Sequence, residues 1–127
     1  MLLIFADESK RTPDSQKLMD DYREFTEGIV RSGHFRAGAR LQSISSATTM
    51  RETNGKRLTR DGPFAEAKEH LAGYFVVECE RLGEAIAIAG RIPALRFGEP
   101  VEIRPVVPTP ELPAHAREVN DERSPAT

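Results

Sequence analysis

The sequence predicts an α+β domain: a ferredoxin-like antiparallel sheet with two helices on one face, in the order β-α-β-β(hairpin)-β-α-β. Three observations predict it. Two short, dense apolar runs, Met1–Ala6 and Tyr74–Val77, have the length and composition of buried strands. A stretch of helical period follows each of them. Asn54-Gly55 separates two β-prone segments, the strongest short signal for a hairpin, because both turn positions need positive φ. Two crossover helices around antiparallel strands then give the ferredoxin-like arrangement.

Taken in order, Met1–Ala6 runs into charge at Asp7 and Glu8, which suits a buried central strand. Pro13 breaks the pattern, and Asp14 or Ser15 offers a helix N-cap. Leu18, Met19, Tyr22, Phe25, Ile29 and Val30 then recur at spacings of three and four, with Asp20, Asp21, Arg23, Glu24 and Glu27 on the other face. This is an amphipathic helix of about four turns, and Gly33 stops it. The segments around Asn54-Gly55 are polar on both sides, so their hairpin should project from the body. "LAGYFVVEC" is the next buried strand, and "LGEAIAIAGRIP" the second helix, with Leu82, Ala85, Ile86 and Ala89 on one face and Pro93 closing it. "VEIRPV" alternates as the last strand, with Pro105 marking an edge. The domain spans residues 1–107, and the proline-rich, charged residues 108–127 read as a flexible tail. Helices on one face leave the other bare, and exposing that much apolar sheet costs roughly 25 cal/mol per Å². A second copy would cover it, so a homodimer is expected.

Composition narrows the function. The 127 residues suffice for one domain and one core, and 39% hydrophobic with 30% charged residues is a globular balance. A formal net charge of −2 with interspersed signs argues against direct nucleic-acid binding, which needs a local cationic surplus. The single cysteine, Cys79, cannot form an internal disulfide and reads as a small buried hydrophobe. The N-terminal apolar run is too short for a signal peptide or a membrane span, so the expected location is the cytoplasm. There is no glycine-rich phosphate loop, G-x-S-x-G elbow or Cys-x-x-Cys pair, and no cofactor is expected.

The chemistry concentrates in "RDGPFAEAKEHLAGYFVVE", residues 60–78. Asp61-Gly62-Pro63 is turn-forming: Asp accepts from backbone N–H groups ahead, Gly permits unusual φ, and Pro fixes φ at a first helical position. On a purely structural reading Asp61 caps a helical turn and Phe64 plugs the core. On a functional reading Asp61, Glu66, Lys68 and His70 form a catalytic or ligand-binding cluster. In a helical turn Glu66 would share a face with both Glu69 and His70, and a carboxylate beside an imidazole can move protons near neutral pH. Two carboxylates and a histidine could also hold a metal, but the spacing fits no closed motif. Asp7 and Glu8 end the first strand, where clefts often form, and also read as polar loop starters. His34 meets the C-terminal dipole of the first helix and reads as structural, while His115 lies in the tail.

The Asp61-Gly62-Pro63-Phe64 run, with Glu66, Lys68, Glu69 and a glycine before an aromatic-rich strand, resembles the signature of the DGPF branch of the YCII-related family. "LLIFADE", "SSATTMR" and "RFGEPVEIRPV" fall in the matching places around it, so the resemblance covers residues 1–107. It implies a ferredoxin-like fold of the dimeric α+β barrel type. In the YCII branch of the family the enzymatic role rests on a histidine early in the first long helix and an aspartate just before the second helix's closing proline. Those neighbourhoods carry Tyr22 and Ile92 here, with no His or Asp at either place. Some relatives are fused to sigma-factor domains. Two functions of different kind are therefore expected: a small-molecule-binding or cofactor-independent enzyme-like dimer, or a non-catalytic module contacting a sigma-factor-type partner. A purely architectural role for the motif is the third.

Overall fold

A computed structural model describes residues 1–10 and 16–108 of the chain. The N-terminal apolar run folds as strand β1 (Leu2–Ala6), in which Leu2, Ile4 and Ala6 are buried while Leu3 and Phe5 are only partly covered. One face of the strand is thus in the core and the other is not, although a continuous apolar run suggests burial on both. The remaining elements are α1 (Gln16–Arg31), β2 (Phe35–Arg40), β3 (Thr48–Thr53), β4 (Lys56–Asp61), β5 (His70–Val77), α2 (Leu82–Ala89) and β6 (Val101–Ile103). Short 3-10 turns lie at Glu8–Lys10, Ile44–Ser46 and Pro93–Phe97. Among the described residues, no helix is long and apolar enough to cross a membrane.

Four strands form an antiparallel sheet in the order β2-β5-β1-β6, the ferredoxin-like arrangement. Both helices contribute to the core on the face of Leu2, Ile4 and Phe75: Phe25 and Ile29 come from α1, Ile88 and Ala89 from α2, and Ile92 and Ala94 from the chain after it. Phe25 meets Phe75 edge-on, with ring centroids 5.1 Å apart and planes at 71°, the arrangement that ring quadrupoles favour. Leu2, Ile29 and Ile92 are the largest side chains fully withdrawn from water, each contributing about 1.5–3 kcal/mol of transfer free energy.

The helices depart from the expected stripes. Leu18, Tyr22, Phe25 and Ile29 face inward on α1, but Met19 and Val30 flank that row and are about half exposed. Asp14 and Ser15, the expected caps, lie outside the described residues. On α2 the expected face Leu82-Ala85-Ile86-Ala89 is rotated: Leu82 and Ile86 are exposed, and Ile88 is buried with Ala89. The helix is apolar around nearly its whole circumference, so its periodicity carries no preference, and the continuing chain chooses Ala85, Ile88, Ala89 and Ile92 as the inner row. Nor does Pro93 close the helix. Gly90 caps it by donating its N–H to Ile86 O, and Pro93 opens the following 3-10 turn. Arg96 in that turn donates to Asp21 of α1 at 2.7 Å, clasping the two together.

The hairpin forms as expected. Asn54 (φ 52°) and Gly55 (φ 78°) both adopt positive φ, and Thr53 pairs with Lys56 across them. Strands β3 and β4 make a two-stranded ribbon separate from the main sheet, exposed at every residue except half-buried Thr49. Residues 109–127, where a tail is expected, lie outside the described residues.

Two predictions follow from this packing. A Cβ at Gly73 would stand 2.9 Å from the carbonyl oxygen of Ala39 on the neighbouring strand, so Gly73→Ala should destabilise the domain by about 1–3 kcal/mol in urea unfolding. A change within a few tenths of that of the wild type would show that the β2–β5 seam yields freely. The hydrogen bond from Arg96, reinforced by Lys17, holds the Asp21 carboxyl below its ordinary value of 3.8. A carboxyl depressed in the folded state adds stability above its unfolded value and loses it as pH falls through the folded one. Wild type and Asp21→Asn should therefore differ in stability near about pH 7 and converge as pH falls through the lowered carboxyl value; a gap independent of pH would contradict the clasp.

Candidate functional site

Asp61 is the last residue of β4, opposite Thr48, and is exposed. Gly62 then takes φ 96°, which turns the chain back over the ribbon. Its N–H donates to Ala47 O at 2.8 Å, and its carbonyl accepts from Thr49 Oγ1 at 2.7 Å. Arg60 reaches the Pro63 carbonyl at 3.4 Å, and the Arg51 guanidinium lies 6.0 Å from the Phe64 ring centroid. The Asp-Gly-Pro-Phe turn thus folds onto its own ribbon. Asp61 caps no helix, and Phe64 is 67% exposed rather than set in the core. The left-handed step at Gly62 sends the ring outward.

The helical turn expected over Glu66–His70 does not form. Glu66, Lys68 and Glu69 lie exposed in an irregular segment, and His70 begins β5. A bulge decides where His70 points. Ile4 pairs with Gly73, but Phe5 pairs with Leu71 and Ala6 with His70, so the register slips by one at Ala72. Paired residues share a face, and His70 therefore lies with buried Ala6 on the helix side, half-buried. Lys68 comes within electrostatic reach of Asp7, whose carboxyl is held low chiefly by the Ser9 hydroxyl at 2.6 Å, with help from the Ser9 N–H, Lys10 and Lys68. Glu8 accepts from Ser43 Oγ at 2.6 Å and from the Ile44 N–H at 2.9 Å, tying the end of β1 to the foot of the ribbon. The structure thus gathers Asp7, Glu8, Lys68 and His70 at one end of the sheet, and leaves Asp61 at the end of β4 and Glu66 exposed in the loop.

A second polar group lies at the other end, assembled across fifty residues of sequence. Ser32 Oγ and His34 Nδ1 are 2.6 Å apart, as are His34 Nε2 and Glu84 Oε1. Reading His34 as structural anticipated its place at the exit of α1 but not Glu84, which only the docking of α2 brings near. The order acid–imidazole–hydroxyl resembles a nucleophile relay. However, the N–H groups of Ser32, Gly33 and His34 are all committed to carbonyls of α1, at Gly28, Val30 and Ile29, so none of them is free to stabilise an oxyanion. The group joins the two helices. Cys79 packs against the core beside it, and burial, then Glu84, pushes its thiol up. Among the described residues no three of His, Cys, Asp and Glu come together as a metal site. Tyr22 is half-buried on α1, and Ile92 lies in the core at 1% exposure.

The remaining feature is a surface. The face of the sheet away from the helices carries Leu3 and Phe5 of β1, Ala37 and Ala39 of β2, and Tyr74 and Val76 of β5. Charge stands at the two borders of this face: at β6, where Glu102 pairs with Leu3 and makes an ion pair with Arg104, and at the start of β2, where exposed Arg36 pairs with Glu78 just beyond β5. The signal was present in the sequence as the alternate residues of the apolar runs, but a run apolar at every position hides which alternate set is bare.

The Cys79 environment yields a direct test. A thiol pushed up by burial is protonated at neutral pH and reacts slowly. Iodoacetamide at about pH 7.5 should alkylate Cys79 in the folded protein at least about tenfold more slowly than in urea; equal rates would place the thiol in water.

The model of the YCII-related domain matches residues 1–110, covering the sheet, both helices and the ribbon. An uncharacterized protein of Rhizobium meliloti (strain 1021) is 33% identical over 92 residues, which span 69% of this chain and 74% of that relative. The family match spans most of the chain, and the chain belongs to the YCII-related domain family.

Proposed function

We propose that the protein is a homodimer that binds a small, largely apolar molecule between the two helix-free sheet faces. The observation that carries this reading is the face itself: a continuous apolar surface across three strands, with charged pairs only at its borders. Monomeric proteins seldom leave such a patch wet, and two copies related by a two-fold axis would cover it symmetrically. Four strands about 4.8 Å apart and about 17 Å long give a flat footprint of roughly 300 Å² per copy. A standard interface needs roughly 800 Å² from each partner. The deficit is of the size that the ribbon could supply, since Met50, Leu58 and Phe64 are each more than half exposed on it or at its base. Ala37 and Ala39 are too small to fill the space between two facing sheets, which supports a chamber there rather than a dry seam. Lys68 stands just beyond the end of the same sheet and can bring charge near the rim of the chamber, whereas His70 faces the helix side and stays out of it.

Sedimentation equilibrium tests the assembly. The wild type should be a dimer. Ala39→Arg places a charge on the face beside Tyr74 and, once buried, leaves it unpaired; the dissociation constant should rise by more than about 100-fold, or ~3 kcal/mol. Far-UV circular dichroism should not change, because the Ala39 side chain points away from the core. A wild type that sediments as a monomer, or a variant that dimerises as well as it does, would refute the covered face.

A further inference from the structure

Tyr74 stands in the middle of the helix-free face, paired with Leu3 on one side and Ala39 on the other. Its paired neighbours on that face are aliphatic, so its hydroxyl is the hydrogen-bonding group at the middle of the face, the Arg36–Glu78 pair lying at the border where β2 begins. That hydroxyl makes no hydrogen bond among the described residues. In a single chain, water satisfies it. Once a second copy covers the face, it loses that water, and a buried phenol ordinarily finds a partner. None of the adjoining side chains can serve: Leu3, Phe5, Ala37, Ala39 and Val76 carry no polar atom.

We propose that the Tyr74 hydroxyl is the ligand-orienting group of the chamber. The ligand class it selects is a small aromatic or aliphatic molecule with a single hydroxyl or carbonyl oxygen. The inference rests on the dimer reading given above, and adds to it which residue meets the ligand and through which atom. The phenol supplies one donor and one acceptor, while the alanines of β2 leave room beside the ring on the side away from β1. Selectivity follows from the usual asymmetry. A site that offers a buried hydrogen-bonding group discriminates strongly against an analogue without the matching atom, because the group is then left unpaired.

The test compares 1-naphthol with naphthalene, matched in shape and differing by one oxygen, by fluorescence titration of the wild type and of Tyr74→Phe. Sedimentation is run on the same samples. The wild-type dimer should prefer 1-naphthol by about tenfold, the scale of one net hydrogen bond. Tyr74→Phe should abolish the preference, keep the naphthalene affinity and leave the dimer intact. A dimer that does not bind 1-naphthol, or that shows the same preference after Tyr74→Phe, overturns the role of Tyr74 and leaves the assembly standing. A dimer weakened by Tyr74→Phe also overturns it, because the hydroxyl would then be bonded across the seam to the second copy. A monomeric wild type overturns the assembly itself.

Discussion

The antiparallel pairing of β1 with β5 is the constraint on which the rest of the molecule depends. These are the two central strands, and their register sets which side chains enter the core: Leu2 opposite Phe75 and Ile4 opposite Gly73. The helices pack onto that row, most visibly in the edge-on meeting of Phe25 and Phe75. Gly73 permits the close approach of β2 on the far side, because a side chain there would run into the Ala39 carbonyl. A slip of one residue over the whole strand would exchange the core face for the bare one. The slip occurs instead at one bulge, beyond Gly73, where it changes only the end of the strand and carries His70 to the helix side.

Charge in this protein serves mainly to fasten ends. At one end of the sheet Glu8 holds the foot of the ribbon, and Asp7 binds the start of the next turn through Ser9. At the opposite end Glu84 and His34 join α2 to the exit of α1. On the helix layer Asp21 and Arg96 clasp α1 to the 3-10 turn after α2. Most of these pairs are partly exposed, and each contributes modestly. Their consistency in position matters more, since together they fix the three connections that the antiparallel ladder leaves loose.

The Asp-Gly-Pro-Phe turn is likewise explained by local structure. Its backbone groups are taken up by Ala47, Thr49 and Arg60, and its phenyl ring lies beside Arg51. The residues after it, polar and irregular, do not assemble into the helical turn that their spacing invites. The turn therefore orients the ribbon, and the ribbon presents Met50 and Leu58 on a projecting arm. Exposed apolar side chains lie on this arm as well as on the outer side of α2, at Leu82 and Ile86.

The sequence by itself determined the order of the elements, the two apolar strands, the amphipathic α1 and the Asn-Gly hairpin, because each is written in local periodicity or in the φ demands of a few residues. Only the tertiary structure decided which half of each apolar run is bare, which row of α2 points inward, and on which side of the sheet His70 lies. The reason is the same in all three. A segment that is apolar at every position, or that carries a one-residue bulge, has no preferred face until neighbouring strands fix its register. Pairings such as His34 with Glu84 depend further on where two helices dock, which no short-range pattern encodes.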